Sequence, residues 1–145
     1  MQPTTLEERF STALHTSARA WRQALDRRMK DLGVSQSGWL AIAYIAKAEG
    51  PLSQSDLASL VSVEAATMVS TVDKLEKAGL VIRVVSESDR RVKHLKLTAD
   101  GQALYKKVRS KADAMRAELL AAVDRQKLAE VTEILEYIQN IIEAF

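Results

Sequence analysis

Apolar residues recur at every third or fourth position in four stretches of the chain, the spacing that gives an α-helix one apolar face. The first stretch is Leu6–Lys30, and the second is Gly38–Ala48, which Ser35 precedes as a suitable N-cap. A third, long stretch follows Thr98, and a fourth follows Asp124. The pattern predicts a mainly helical protein whose helices flank a different central segment.

That central segment begins with two short helices joined by a tight turn. Ser53 and Asp56 are three residues apart and form a capping signal for the first short helix. A turn at Val61–Val63 follows, and the second helix is predicted over Glu64–Gly79. This order is typical of a helix-turn-helix, whose second helix enters the major groove of DNA.

At about 100° per residue, the second of these helices separates into two faces. The face predicted to lie in the core is formed by Val61, Ala65, Met68, Val72 and Leu75. The opposite face carries short or cationic side chains, namely Ala66, Thr67, Ser70, Lys74 and Lys77. Short side chains suit contact with base edges and cations suit phosphates, so this face, with Ser62 in the turn, predicts a DNA contact. The alternative is an ordinary solvated helix face.

Two strands, Leu80–Val85 and Val92–Leu97, are predicted around a polar tip at residues 86–91. This hairpin is basic, because only Glu87 and Asp89 stand against five cationic residues: Arg83, Arg90, Arg91, Lys93 and Lys96. An arginine at a hairpin tip fits a minor groove, where narrow regions concentrate negative potential. We expect Asp89 to hold the guanidinium of Arg91 by a bidentate contact. The alternative is a solvated charged turn.

The helices at the two ends of the chain carry apolar faces that a small winged domain would leave uncovered. These faces include Phe10, Leu14, Leu128, Val131, Leu135, Ile138, Ile142 and Phe145. A second copy of the chain would cover them, so they predict a homodimer, and a two-fold dimer reads two half-sites about one helical turn apart. The alternative is that the two terminal helices bury each other within one monomer.

Length and charge refine this picture. The chain has 145 residues, which favours one domain, and no apolar run approaches the roughly 18 residues of a membrane span. The N-terminus lacks a signal-peptide pattern, so we expect a cytoplasmic protein. Residues 112–145 hold three basic and seven acidic residues, a balance of −4, whereas the whole chain carries +2; the first 111 residues therefore carry +6. A basic part suits a polyanionic partner.

The residue inventory offers little to an enzyme. There is no cysteine, the two histidines are far apart, and no catalytic triad spacing or glycine-rich phosphate loop is present. We therefore expect no metal, no cofactor and no catalysis.

One polar stripe suggests a ligand site instead. His15, Arg19 and Arg22 share a helical stripe, and Ser37 and Trp39 open the second helix. An arginine beside a tryptophan can pair a carboxylate while the ring stacks on an aromatic ligand. The alternative places the tryptophan in the core and both arginines in surface or interface ion pairs.

Two sequence motifs resemble a known family. The run DRRVKHLKLT, preceded by LEKAGLVIR, is similar to the wing signature of the MarR/SlyA transcriptional regulators, and WRQALDRRMKDLGVSQSGWLAI is similar to the first two helices of SlyA-type members. The resemblance implies a winged-helix homodimer on pseudo-palindromic promoter DNA, with Arg91 in the minor groove, oriented by Asp89, and Ala65–Lys77 in the major groove. It also implies a crevice for small aromatic acids or phenols between the dimerisation helices and the DNA-binding lobe. SlyA-like proteins tend to carry arginine in mid-helix, where this chain has Ser70.

The sequence therefore predicts a mainly α protein with a small β-wing, formed as a single MarR-type domain over residues 1–145. A winged-helix lobe is expected at about residues 35–98, with dimerisation helices at about 5–32 and 112–145. The predicted function is that of a sequence-specific regulator, a repressor released by a small aromatic or phenolic ligand. Two alternatives are a winged-helix protein-interaction module in a larger assembly and a nonspecific architectural DNA-binding protein.

Overall fold

The protein is mainly helical and carries one small sheet. The computed structural model describes Gln2 and residues 4–145, and within them it contains six α-helices, one 3-10 turn and three strands. In chain order, these elements are α1 (Leu6–Arg28), the 3-10 turn (Lys30–Leu32), α2 (Gln36–Lys47), β1 (Leu52–Ser53), α3 (Gln54–Val61), α4 (Ala65–Lys77), β2 (Val81–Val85), β3 (Lys93–Leu97), α5 (Ala99–Leu120) and α6 (Arg125–Glu143). The predicted fold class, mainly α with a β-wing, is confirmed.

The chain forms two compact units, one ending at Ala112 and one spanning Asp113–Phe145. The boundary falls inside α5. No helix in the part of the chain that the structure describes combines the length and the apolar character needed to cross a bilayer.

Side-chain caps start the helices where the sequence predicts them. Ser35 accepts a hydrogen bond from the amide of Gly38 at 3.2 Å, and Asp124 accepts one from the amide of Lys127 at 3.0 Å. Each cap satisfies an amide that has no partner inside its helix. The predicted cap of α2 is therefore confirmed, and α6 begins directly after Asp124, as its predicted position requires.

The helix-turn-helix is formed by α3, α4 and the turn between them. Ser53 and Asp56 make a complete capping box at the start of α3. The turn depends on Ser62, whose φ of 62° lies in the left-handed region, and on the Val63 amide, which donates to the Ala58 carbonyl at 3.0 Å. A left-handed residue reverses the chain within one step, so α4 begins only four residues after α3 ends.

The start of α5 packs tightly against the start of the wing. Thr98 Oγ1 donates to the carbonyl of Gly79 at 2.6 Å and accepts from the amide of Gly101 at 3.0 Å. A Cβ on Gly101 would lie only 2.0 Å from the carbonyl oxygen of Leu80, so this contact requires glycine. The base of the wing is thereby fixed to α5.

The sheet is antiparallel, with β3 between β1 and β2. Val81 pairs with Leu97, and Val85 pairs with Lys93, so β2 and β3 form the predicted hairpin. The third strand, β1, is not predicted by the sequence, because it has only two residues and is defined only by its pairing with β3.

The core of the winged lobe confirms most of the predicted apolar face of α4. The buried set is Ala41, Ile42, Leu57, Ala58, Val61, Met68, Val72, Leu75, Val81 and Leu95. The prediction is wrong for Ala65, which is exposed because it lies in the first turn of α4, beyond the reach of α2 and α3. Thr71 is buried in its place and pairs through its hydroxyl with that of Ser37 at 2.8 Å.

A second cluster joins the end of α1 to α2 and α5, with Met29, Trp39 and Val108 at its centre. Lys111 and Asp31 reinforce this junction with an ion pair at 3.2 Å. The rest of α1 is different, because no residue of this helix is buried in the single chain. The same holds for α6.

Candidate nucleic-acid interface

The outward face of α4 carries short and cationic side chains that are exposed. All five residues predicted for this face, Ala66, Thr67, Ser70, Lys74 and Lys77, are exposed. Within the described residues, the hydroxyls of Thr67 and Ser70 make no hydrogen bond, so both can still donate to and accept from a ligand. The face therefore combines two free hydroxyls with two cations in its second half.

One apolar residue of this face is not among the predicted contacts. Val69 is 41% exposed although it lies between the buried residue Met68 and the exposed residue Ser70. The helical arithmetic contains the signal, because residue 69 is three positions after Ala66 and therefore lies on the same side of the helix. This side presents methyl groups as well as hydroxyls.

The wing tip is a closed loop held by backbone and side-chain bonds. The amide of Ser86 donates to the carbonyl of Val92 at 2.9 Å, and the amide of Val92 donates to the carbonyl of Asp89 at 3.0 Å. Ser86 is buried, and its hydroxyl accepts from the amide of Ser88 at 3.3 Å. These bonds give the exposed arginines of the tip a fixed base.

Asp89 does hold Arg91, but not in the predicted bidentate manner. Its Oδ1 accepts from both the backbone amide of Arg91 at 3.0 Å and the Nε of Arg91 at 3.3 Å. An aspartate commonly binds the amide two residues ahead, and this turn uses the oxygen that a fork-to-fork contact would need. The two terminal nitrogens of Arg91 are left to solvent on a side chain that is 91% exposed.

The other predicted cations of the wing fall into two groups. Arg90 and Lys93 are exposed beside the tip and can reach a polyanion. Arg83 differs, since its side chain is mostly buried and its guanidinium bonds to acidic and amide side chains of the same lobe. The structure therefore does not bring Arg83 together with the exposed cations.

The residues predicted for the ligand site also fall into two groups. His15, Arg19 and Arg22 line one shallow depression of about 350 Å³, together with Gln36. Trp39 is absent from it, because its ring is only 3% exposed in the second core cluster and its Nε1 donates to Asp26.

Ser37 also lies outside this depression, since its hydroxyl pairs with that of Thr71. The expected stacking surface of Trp39 is therefore not available, and the depression is cationic without being aromatic.

A second cavity, of about 700 Å³, lies between the end of α2 and the wing and is lined by none of the predicted residues. Its lining mixes Glu49 and Glu87 with Lys96 and His94, so it has no dominant charge. Among the described residues, no group of three or more histidine, aspartate or glutamate side chains is arranged to hold a metal ion.

These elements define a winged helix-turn-helix: two helices joined by a tight turn, an exposed outward face on the second helix, and a hairpin with arginines at its tip. Proteins of this class contact duplex DNA through two grooves. The comparisons with known proteins agree. The sequence profile of the MarR family matches residues 40–93, which cover α3, α4, β2 and the wing tip.

Solved structures extend the match to almost the whole chain. The transcriptional regulator PA3341 is 35% identical and superposes with a TM-score of 0.87 over 94% of this chain and 99% of its own. CouR from Rhodococcus jostii, with p-coumaroyl-CoA bound, is 20% identical, with a TM-score of 0.78 over 94% and 95%. A point mutant of MepR from S. aureus, bound to an oligodeoxyribonucleotide, is 21% identical, with a TM-score of 0.60 over 92% and 97%. The chain belongs to the MarR family and is a transcriptional regulator.

Proposed function

We propose that this regulator is a homodimer that binds a pseudo-palindromic promoter operator and represses transcription from it. The observation that carries the proposal is the pairing of a free outward face on α4 with Arg91, a highly exposed arginine whose Nε is anchored by Asp89. Two such elements on one lobe can enter two neighbouring grooves of the same duplex.

In this proposal, α4 enters the major groove. Ala66, Thr67 and Ser70 approach base edges, because their side chains are short enough for the helix axis to come close to the groove floor. Lys74 contacts a phosphate, as does Ser62 from the turn, and such contacts set the register of the helix without reading sequence. The lack of an arginine on this face distinguishes it from helices that place arginine on guanine.

The wing follows the backbone into the adjacent minor groove. Arg91 enters the groove with both terminal nitrogens available, while Asp89 restricts its rotation. Arg90 and Lys93 neutralise flanking phosphates. A narrow minor groove strengthens this contact, because it concentrates negative potential around the guanidinium.

Dimerisation supplies the second half-site. The exposed apolar residues of the terminal helices include Phe10, Leu14, Val131, Leu135, Ile142 and Phe145, and Leu128 and Ile138 are partly buried. Each of the two helices therefore leaves an apolar stripe uncovered in the single chain, and a second copy is the economical cover. A dimer that occupies both half-sites covers promoter DNA and excludes the transcription machinery.

We also propose that a small aromatic acid lowers DNA affinity by binding near His15, Arg19 and Arg22. The cationic depression suits a carboxylate, and the structure of CouR holds an aromatic CoA ester. Saturating salicylate is expected to weaken operator binding by roughly 5- to 150-fold, the usual range for coupled sites. A loss that persists in the Arg19→Ala/Arg22→Ala variant would place the ligand elsewhere.

The test of DNA recognition begins with selection of duplexes from a random library by the purified protein. Fluorescence anisotropy then measures the affinity for the selected duplex and for a scrambled duplex over a range of salt concentrations. A repressor of this kind binds the selected duplex far more tightly, with a steep salt dependence. A protein-interaction module would bind neither duplex, and an architectural protein would bind both equally.

A further inference from the structure

Arg83, near the base of the wing, is the centre of a bonded cluster. Its side chain is 19% exposed. Nη1 donates to Oε1 of Glu76 at 2.9 Å, and Nη2 donates both to Oδ1 of Asp73 at 2.6 Å and to Oε1 of Gln54 at 2.9 Å. These bonds use three of the five N–H donors of a side chain that is mostly buried, so this guanidinium is directed into the lobe and not toward DNA.

The three partners of Arg83 belong to the two helices of the helix-turn-helix. Gln54 is the first residue of α3, and Asp73 and Glu76 lie one turn apart on α4. Arg83 itself is the middle residue of β2 and pairs with Leu95 of β3. One rigid, planar group therefore joins the wing hairpin to both helices at a single point.

The cluster also changes the electrostatics of the recognition helix. Asp73 and Glu76 are 60% and 44% exposed, and they flank Lys74, a proposed phosphate contact. Two uncompensated carboxylates there would repel the DNA backbone. The two carboxylates alone carry −2, and together with the bound guanidinium of Arg83 the cluster carries −1.

We propose that Arg83 is a positioning residue for DNA recognition: it fixes the wing against α4 and masks the negative charge of Asp73 and Glu76. This inference rests on the proposed function, since it concerns how that same interface is presented to the duplex. It assigns Arg83 a different role from Arg91, which touches DNA directly.

The experiment compares Arg83→Met with the triple variant Arg83→Met/Asp73→Asn/Glu76→Gln on the selected duplex. Anisotropy is measured at several salt concentrations, and circular dichroism records the thermal midpoint of each variant. Lys106→Met is the matched control, because it removes one exposed charge from α5 outside the cluster.

We expect Arg83→Met to lose more than tenfold in affinity at low salt, with a smaller loss at high salt, where the repulsion by the two exposed carboxylates is screened. The triple variant should recover part of this loss, because the repelling carboxylates are gone, and the part that remains measures the contribution of fixing the wing against α4. The control should stay within twofold. If Arg83→Met fails to fold, Arg83→Lys serves instead: a single ammonium cannot span the three acceptors, so it should lose affinity and be rescued by the same amide substitutions.

Two results would overturn the inference. Wild-type affinity in Arg83→Met would remove any role in recognition. An unrescued loss, with a salt slope shallower by about 0.9, would identify a direct phosphate contact instead. If the wild type binds no selected duplex, the proposed function fails and this inference fails with it. If the wild type binds and only the results for the Arg83 variants disagree, this inference fails alone.

Discussion

Val69→Ala is expected to weaken operator binding by roughly 7- to 50-fold, because this valine offers methyl groups to the floor of the major groove. Complete burial of a valine side chain is worth about 1.5–3 kcal/mol. In the free protein Val69 is already 59% covered, which leaves 41% for the duplex to bury, so each protomer gains about 0.6–1.2 kcal/mol from it. The two protomers of a dimer together gain about 1.2–2.4 kcal/mol, and each 1.4 kcal/mol is a factor of ten.

The partner group on the DNA is the C5-methyl of thymine, which is the apolar feature of the major groove. The assay therefore changes both molecules. Wild type and Val69→Ala are titrated by anisotropy against the selected duplex and against duplexes in which each thymine of the half-site becomes deoxyuridine. At one position the wild type should lose affinity while Val69→Ala does not, since the variant no longer makes the contact.

Val123→Ala is the matched control, because Val123 is 40% exposed but belongs to the turn between α5 and α6 and not to the helix-turn-helix. Sedimentation of all three proteins at the assay concentration checks that the assembly state is unchanged. The reasoning is refuted if Val69→Ala binds like the wild type, or if every deoxyuridine substitution weakens the two proteins equally. Either outcome would mean that Val69 makes no contact with a thymine methyl group.

Three further predictions test the wing, the packing and the assembly. Arg91→Ala should weaken operator binding by about 1–3 kcal/mol in anisotropy titrations. Asp89→Ala should cost less, because it only frees the side chain of Arg91 to rotate. An unchanged affinity of Arg91→Ala would exclude the minor-groove contact. Gly101→Ala places a Cβ 2.0 Å from a backbone carbonyl oxygen. We expect it to lower the free energy of unfolding by about 1–3 kcal/mol or more, seen as a lower thermal midpoint. The control Gly50→Ala should be nearly neutral, because a Cβ there meets nothing within 4 Å. Truncation after Ala122 removes α6 and should give monomers or aggregates in sedimentation, and a truncated chain that remains a dimer would contradict the proposed interface.

The helices could be predicted because their signals are local. Periodicity and caps act within one or two turns of chain, and α2 and α6 begin where Ser35 and Asp124 indicate. By contrast, β1 has two residues, too few to show an alternation, and it exists only because β3 lies beside it. Elements defined by a distant partner leave no comparable mark in the sequence.

The site residues show the same division. The exposed face of α4 follows from helical geometry, since each residue turns about 100° from the last. Trp39 could not be assigned in this way, because α2 has apolar residues on several sides and only the packing of α1 and α5 decides which of them is covered. A tryptophan beside arginines fits both a ligand site and a core.

The inward position of Arg83 could have been predicted from the sequence, although a count of the cations in the wing does not show it. Side chains alternate along a strand, so residue 83 shares a face with Val81, which is buried, and not with Ile82, which is exposed. A charge on the inward face of a strand requires a partner, and the acidic residues of α4 are the nearest helix-borne candidates. Alternation therefore separates the inward-facing arginine from the arginines of the tip.

This separation bears on how the wing and α4 act together. Thr98 and Gly101 fix the hairpin to α5, and Arg83 fixes it to α3 and α4, so the base of the wing is held from two sides. Only the tip is left to adapt to the duplex. Substitutions at the tip should then change the number of phosphate or groove contacts. Substitutions at the base should leave that number unchanged and act through the angle between wing and helix and, at Arg83, through the unmasked carboxylates. If the wing and α4 enter two grooves as proposed, a movement of the whole lobe would remove both contacts together, and a ligand that prefers the moved lobe would then release the DNA.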